Sequence, residues 1–263
     1  MRTILTSVLA IGCFLVLIFG NLHWDKRTSV GARPESDVEG STVDKEVQEV
    51  ENKAVAKEDV FVIAQNWPEN ARTVLEMRLK EGVPLRLAIV GSPALGGANG
   101  WAERLQKELV SQFGNSVIEV GVFTYDMHSL EFVQEKAYEE VVEFEPDVLL
   151  WEPLTLKDNG LVVIEHSHEN ILFVFEQFTD KPVVILQPPH PIYQARYYPV
   201  QVDALAKFAE QEGFTYLNHW EVWPDPNSEE ILNYLLEDQS APNEQGHELW
   251  YDYLAKIFLS AEQ

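Results

Sequence analysis

The sequence LRLAIVGSPALGG, at residues 85–97, is the stretch that decides the fold. Its opening residues are mostly apolar, which is typical of a parallel strand buried on both faces. Gly91 and Ser92 follow directly, and a glycine-containing turn leads to an amphipathic helix predicted at residues 101–113. Ligands of open α/β sheets bind beyond the carboxyl ends of the strands, so Ser92 lies where chemistry is expected.

The same alternation of strand and helix patterns continues through the rest of the chain. Strands are predicted at residues 117–123, 147–151, 182–187 and 215–218, and helices at residues 68–81, 130–144, 169–178, 200–212 and 244–259. Such alternation implies right-handed crossovers and a mostly parallel sheet covered by helices on both faces. The predicted fold class is therefore a three-layer α/β/α domain.

Polar residues follow most of the predicted strands, and in a parallel sheet these strand ends share one rim. The candidate oxyanion and substrate-binding residues on this rim are Gly91, Glu152, Asp158, Asn159, Gln187 and His190. Glu152 emerges directly from an apolar strand, so we expect burial to raise its pKa. The alternative for Glu152 is a structural role in which it accepts backbone hydrogen bonds.

Acyl transfer by a serine needs a nucleophile, a histidine base, an orienting carboxylate and donors for the oxyanion. Ser92 is the candidate nucleophile. His247, at the start of the last helix, is the candidate base, and Glu244 precedes it by three residues, a spacing that suits an orienting carboxylate. The alternative is that Asn243 caps this helix and His247 is an ordinary first-turn residue.

Other histidines offer weaker candidates. His190 and His219 are alternative bases, and for each the other interpretations are a rim residue that contacts substrate or a buried histidine hydrogen-bonded to backbone. His166 and His168 form a His-x-His pair, but no cysteine or second pair lies nearby, so no metal site is predicted.

Composition narrows the class of function. The chain of 263 residues carries 43 acidic and 19 basic residues, a formal net charge of −24. Because this charge repels phosphates and no basic cluster offsets it, nucleic acid is not an expected partner. The length suits one large α/β domain, and a single cysteine, Cys13, rules out an intrachain disulfide.

The amino-terminal region differs from the rest of the chain. Residues 3–22 are uncharged and mostly apolar, close to the ~20 residues that cross a bilayer. We expect residues 1–24 to be an uncleaved transmembrane signal anchor rather than a cleaved signal peptide, because no small-residue cleavage site follows. Residues 25–58 predict a disordered acidic tether, and residues 59–263 a domain on the extracytoplasmic side of the cell membrane.

Four segments, taken in order, carry a family resemblance. They are GSPALGG at residues 91–97, WEPLTLKDNG at residues 151–160, ILQPPHPIY at residues 185–193 and APNEQGHELW at residues 241–250. Together they resemble the SGNH hydrolases, or GDSL-like lipases and esterases, in a membrane-anchored bacterial branch. The resemblance implies a flavodoxin-like sheet and hydrolysis of small-molecule or glycan esters, often O-acetyl groups on carbohydrate, without a metal or organic cofactor.

The motif blocks depart from the family pattern at four places. The first block should read Gly-Asp-Ser, and here Pro93 stands at the position of the nucleophile. No glycine occurs between residues 121 and 160, where the second block supplies an oxyanion donor. Lys157 replaces the asparagine of the third block, and in the last block Asp238 is kept while Ala241 replaces the histidine.

These departures leave three functions open. The first is an ester hydrolase acting on cell-envelope glycans or related esters, with a site rebuilt from Ser92 and His247 and with Asp238 and Glu244 as acidic partners. The second is a catalytically inactive protein that binds envelope glycans on the same rim. The third is an O-acyl transferase, since a site that excludes water passes the acyl group to a hydroxyl acceptor.

Overall fold

The computed structural model describes residues 57–259. The strands are β1 (Leu85–Gly91), β2 (Ile118–Thr124), β3 (Val148–Trp151), β4 (Val183–Leu186) and β5 (Thr215–Tyr216). The helices are α1 (Lys57–Ile63), α2 (Glu69–Glu81), α3 (Trp101–Phe113), α4 (Ser129–Gln134), α5 (Glu139–Glu143), α6 (Thr155–Asp158), α7 (Ile164–Gln177), α8 (Tyr198–Glu212) and α9 (Glu244–Phe258).

The five strands form one parallel sheet in the order β2-β1-β3-β4-β5. This is the strand order of flavodoxin-like folds, so the predicted fold class is confirmed. The register places Val90 beside Trp151, and Trp151 beside Leu186. Gly91, Glu152 and Gln187, each one residue further on, therefore form a row at the carboxyl edge of the sheet.

Each face of the sheet has its own core, because alternate residues of a strand point to opposite faces. Leu85, Leu87 and Ile89 of β1 belong to the core formed with α3 and α9. Ala88 and Val90 belong to the opposite core, formed with α4, α7 and α8. By the same alternation the row of Gly91, Glu152 and Gln187 lies on the face covered by α3 and α9.

Two predicted helices differ from the structure. The helix predicted at residues 130–144 is divided into α4 and α5, because Lys136 adopts a left-handed backbone conformation with φ of 56°. The helix predicted at residues 169–178 begins at Ile164. The polar residues before Glu169 form its first turn, in which Glu165 and His166 are exposed and Ser167 is buried.

The predicted anchor at residues 1–24, and nearly all of the tether predicted at residues 25–58, lie outside the described residues. Helix α1 already includes residues 57 and 58, which the prediction assigned to the tether. Between residues 57 and 259, no helix is long and apolar enough to cross a membrane.

Candidate active site

Ser92 lies directly after β1 and forms hydrogen bonds with the carboxyl group of Glu152. Its Oγ is 2.9 Å from Glu152 Oε1 and 3.2 Å from Oε2, and its backbone N–H donates to Oε2 at 3.0 Å. The hydroxyl also accepts from the Ala94 amide at 3.2 Å, so Ser92 caps the short helix that follows. Ser92 is 6% exposed and Glu152 is 0% exposed. The predicted nucleophile is thus held by a buried carboxyl group.

Gly91 makes room for the Glu152 carboxyl group. A Cβ atom at Gly91 would lie 2.4 Å from Glu152 Oε2, which is far closer than two such atoms approach. Because a side chain at residue 91 would displace the Glu152 carboxyl group, Gly91 contributes to the site by letting this group approach the backbone. The Gly91 carbonyl accepts a hydrogen bond from the Tyr125 amide. Within residues 57–259 no contact supports the predicted oxyanion role of Gly91, which stays a prediction.

Burial raises the pKa of Glu152 to about 8. The hydrogen bonds from Ser92 and the charge of Lys157 act in the opposite direction but do not offset the desolvation. The raised pKa was expected from the sequence, and at pH 7 it leaves the carboxyl group mostly protonated. Lys157 itself pairs with Asp126 at 2.5 Å on the exposed side of the rim.

His247 lies in the first turns of α9 and packs on the loop that follows Ser92. A Cβ atom at Gly96 would lie 2.4 Å from His247 Cε1. Asn243 caps α9 by accepting from the Gly246 amide at 3.1 Å, as the alternative interpretation of this helix start predicts. The Nδ1 atom of His247 is buried without a hydrogen-bond partner among the described residues. Within those residues Ser92 Oγ bonds only to Glu152 and the Ala94 amide.

The two predicted acidic partners of His247 make no hydrogen bond to it. Glu244 is exposed at the first position of α9 and makes no hydrogen bond to His247. Its carboxylate faces solvent, where water can solvate its charge. Asp238 is exposed and accepts from the Ser240 amide at 3.0 Å and hydroxyl at 2.7 Å, which stabilises its own turn. Their predicted part in a triad is therefore corrected.

Asp158 has a structural position rather than an oxyanion position. It is fully buried, and its oxygens accept from the Ser129 amide at 2.7 Å and the Ser167 hydroxyl at 2.5 Å. Both oxygens are therefore occupied by bonds that join α4, α6 and α7. Asn159 is exposed and caps the carboxyl end of α6.

Gln187 and His190 are fully buried near the row at the sheet edge. Gln187 Oε1 accepts from Trp250 Nε1 at 2.9 Å, while Gln187 Nε2 has no partner among the described residues. His190 Nε2 donates to the Gln239 carbonyl at 3.1 Å, and His190 Nδ1 is likewise without a partner. Burial lowers the pKa of His190 to about 4, so its ring is neutral at pH 7.

His219 is a buried histidine hydrogen-bonded to backbone, as one interpretation of the sequence predicts, and not an alternative base. Its Nε2 donates to the Pro188 carbonyl at 2.7 Å, and its Nδ1 accepts from Trp223 Nε1 at 2.9 Å. The ring stacks on Trp250 with centroids 3.9 Å apart, and burial lowers its pKa to about 3. Both ring nitrogens are occupied, so neither is free to take a proton from a nucleophile.

A pocket of about 740 Å³ opens between the starts of α3 and α9. Its walls include Asn99, Arg104 and His247, but not Ser92. The guanidinium of Arg104 lies 3.7 Å from the centre of the Tyr251 ring. Sequence reasoning did not identify Arg104, because one arginine in a helix turn resembles any solvated charge.

Within the described part of the chain, no three histidine, cysteine or acidic residues are grouped so that they could hold a metal ion.

Solved structures provide the comparison, since no protein-family model and no curated protein sequence matches the chain. A protein of the G-D-S-L family from Desulfitobacterium hafniense DCB-2 matches with a TM-score of 0.52 and 15% identity, over 65% of this chain and 98% of that one. TesA matches with a TM-score of 0.51 and 16% identity, over 65% and 97%.

A variant of Axe2, an acetyl-xylooligosaccharide esterase from Geobacillus stearothermophilus, matches with a TM-score of 0.54 and 14% identity. This match spans 69% of the chain and 96% of Axe2. At such low identity the likeness concerns the fold. The described domain has the fold of the SGNH hydrolases, as the order of its motifs predicts.

Proposed function

We propose that this protein is a carboxylic ester hydrolase in which Ser92 is the nucleophile and Glu152 is the proton acceptor. The observation that carries this proposal is the 2.9 Å contact between Ser92 Oγ and Glu152 Oε1 at the carboxyl end of β1. That edge is where open α/β sheets place their ligands. The esterases among the solved structures with the same fold support the reaction class.

The reaction needs only these two side chains and water to balance. Ser92 Oγ attacks the ester carbonyl carbon while its proton passes to the Glu152 carboxylate. The tetrahedral intermediate then breaks its bond to the alcohol oxygen, which leaves with that proton. Water attacks the acyl-serine and gives a proton to Glu152, and the carboxylic acid departs as the proton returns to Ser92 Oγ.

Two properties of the pair shape this reaction. Glu152 accepts a proton only when ionised, and its pKa of about 8 means that turnover increases as the pH rises through 8. Only 6% of Ser92 is exposed, so the proposed reaction requires a movement that opens Oγ to the ester.

The direct test is turnover of p-nitrophenyl acetate by the full-length protein. We expect Ser92→Ala and Glu152→Gln each to lower kcat by at least roughly 10²-fold, the usual contribution of a positioned proton acceptor. His247→Ala, which removes the base predicted from the sequence, should retain most of the activity. Activity that persists in both Ser92→Ala and Glu152→Gln would refute the proposal. Loss in Ser92→Ala and His247→Ala, with activity retained in Glu152→Gln, would assign the base to His247.

The substrates and location that we propose are O-acyl groups of cell-envelope glycans outside the cytoplasm, with residues 3–22 as the membrane anchor. The uncharged apolar run of those residues supports an anchor, and the substrate of Axe2 supports an acylated carbohydrate. Protease added to intact cells should digest the domain, whereas a domain protected until lysis would contradict this location.

A second candidate is a binding protein without turnover, and the enclosure of Ser92 favours it. An Oγ bonded to a mostly protonated carboxyl group, with no histidine nitrogen in reach among the described residues, is poorly activated. This candidate predicts saturable glycan binding that depends on the half-buried Trp220, with no hydrolysis of any ester. Tyr198, whose ring centre lies 5.5 Å from that of Trp220, is fully buried.

A further inference from the structure

The turn after α6 contains an asparagine followed by a glycine, and we propose that this pair, Asn159 and Gly160, is a site of spontaneous deamidation. In this reaction the backbone nitrogen of the glycine closes an imide ring on the asparagine side chain, and water then opens the ring. The only co-reactant is water. The modification therefore goes beyond the proposed hydrolase and does not depend on it.

The atoms balance with water alone. Hydroxide removes the proton of the Gly160 amide, and the nitrogen attacks Asn159 Cγ. The bond between Cγ and the side-chain nitrogen breaks, and ammonia leaves after taking a proton from water. Water then adds to one of the two ring carbonyls. Cleavage at Cγ gives aspartate, and cleavage at the backbone carbonyl gives isoaspartate, in which the chain continues through the side chain.

The backbone of Asn159 already has the conformation of the ring. Closure requires the Cα–Cβ bond to eclipse the bond from the carbonyl carbon to the next nitrogen, which in an L residue means ψ of about 120°, as in a type II turn. Asn159 has φ of −57° and ψ of 115°, and Gly160 has φ of 81°. The Leu161 amide donates to the Asp158 carbonyl at 2.8 Å, which completes a type II turn. A reactant held near its attack conformation reacts faster.

The attacking nitrogen is free and accessible. The amide of Gly160 has no hydrogen-bond partner among residues 57–259, and both Asn159 and Gly160 are exposed. A Cβ atom at Gly160 would meet nothing within 4 Å, so hydroxide can approach the amide from solvent. Because glycine has no side chain, nothing at this residue hinders the approach of its nitrogen to Cγ.

A second asparagine–glycine pair, Asn99 and Gly100, lacks these properties. Asn99 ends a 3₁₀ turn, in which ψ is roughly −20° to −30°, far from the value that the ring needs. The Gly100 amide donates to the Gly97 carbonyl at 2.8 Å, and a Cβ atom at Gly100 would lie 2.0 Å from the Leu95 carbonyl oxygen. Since Asn99 is exposed like Asn159, the two pairs differ in backbone conformation and in the state of the amide, not in access to water.

Conversion of Asn159 would alter the junction of α6 and α7. Either product gains a carboxylate at an exposed position. Isoaspartate also lengthens the backbone inside the turn, where the Asp158 carbonyl accepts from the Leu161 and Val162 amides at 2.8 and 2.9 Å. The modification therefore acts on the backbone that positions the buried Asp158.

The test follows both pairs in one sample of the full-length protein, incubated at pH 8 in water enriched in heavy oxygen. Peptide mapping by mass spectrometry detects each converted asparagine, because the product carries one oxygen from the solvent. In the folded protein we expect Asn159 to convert at least roughly tenfold faster than Asn99, since the hydrogen bond of the Gly100 amide alone accounts for about this factor. In urea, where neither turn persists, the two rates should converge.

Two variants complete the test. Asn159→Gln keeps a side-chain amide but needs a larger ring, so conversion at residue 159 should disappear. Asn99→Gln is the matched control and should leave conversion at Asn159 unchanged. The proposal fails if Asn159 stays intact in the folded protein, if Asn99 converts equally fast there, or if conversion at residue 159 persists in Asn159→Gln. A difference between the pairs that persists in urea would also overturn it, because the preference would then come from the flanking residues and not from the turn.

Discussion

Glu152 and Asp158 are two fully buried carboxyl groups only six residues apart, and each is bonded to a serine hydroxyl and a backbone amide. The bonds of Asp158 go to two different helices, through Ser129 and Ser167. Those of Glu152 go to a single residue, Ser92. Asp158 therefore joins two separate helices, while Glu152 makes all of these bonds to one serine at the edge of the sheet.

The number of elements that a buried carboxyl group joins distinguishes a structural role from a catalytic role. Burial and the kind of bonding partner do not, because Glu152 and Asp158 share both. Removing Asp158 would release the starts of α4 and α7 together, so its loss affects folding. Removing Glu152 would release one hydroxyl and one amide in a single loop. The pKa of Glu152, raised to about 8, also leaves it able to exchange a proton in an accessible pH range.

The largest expected effect is on turnover. Glu152→Gln should lower kcat for p-nitrophenyl acetate by roughly 10²- to 10⁴-fold, because the amide cannot accept the proton of Ser92. Asp158→Asn, assayed on its folded fraction, should retain kcat within about threefold, since Asp158 touches none of the reacting groups. An equal loss of turnover in the two variants would contradict the assignment of a catalytic role to Glu152 and a structural role to Asp158.

The next effect is on stability, with the order of the variants reversed. Asp158→Ala should lower the free energy of unfolding by about 3 kcal/mol, because the buried Ser129 amide and Ser167 hydroxyl both lose their acceptor. Glu152→Gln keeps an acceptor for Ser92 and should lower it by less than this at pH 5, where Glu152 is protonated. Urea unfolding followed by circular dichroism measures both, and an Asp158→Ala protein as stable as the wild type would contradict the structural role.

The third effect is a slope of the unfolding free energy with pH. The pKa of Glu152 is raised in the folded state from 4.5 to about 8, so between these values the unfolded chain ionises while the folded chain keeps its proton. The folded state therefore loses stability as the pH rises, by about 1.4 kcal/mol per pH unit, and the loss levels off above pH 8.

Glu152→Gln should lack this contribution, while the buried histidines, which act below pH 6.5, contribute equally to both proteins. The measurement is the difference in unfolding free energy between wild type and variant at pH 5, 6, 7 and 8. A difference that is constant across this range would show that Glu152 is ionised in the folded protein.

The sequence was sufficient for the sheet and for the location of the rim. The apolar run of β1 and the bounds of α3 agree with prediction because glycines mark where each element begins or ends. The division between α4 and α5 was missed, since Lys136 takes its left-handed conformation in a segment without glycine or proline.

The pairing of side chains within the site was beyond the sequence. Strand ends indicated that Ser92, Glu152 and Gln187 share an edge, but the partner of Ser92 lies 60 residues away and depends on strand order and register. Asp158 was assigned to the oxyanion because its position after β3 matched a motif. Its bonds to Ser129 and Ser167 depend on helix packing, which spacing along the chain does not encode.

The close approach at Gly91 carries an evolutionary consequence. A side chain at this position and a carboxyl group at Glu152 exclude one another, since the two would compete for the same space. Lineages that share this site should therefore inherit the glycine and the glutamate as a unit, whereas lineages that acquire any larger residue at the first position are free to drift at the second. Joint substitution at these two positions offers a marker by which relatives with this arrangement can be told from those that share only the fold.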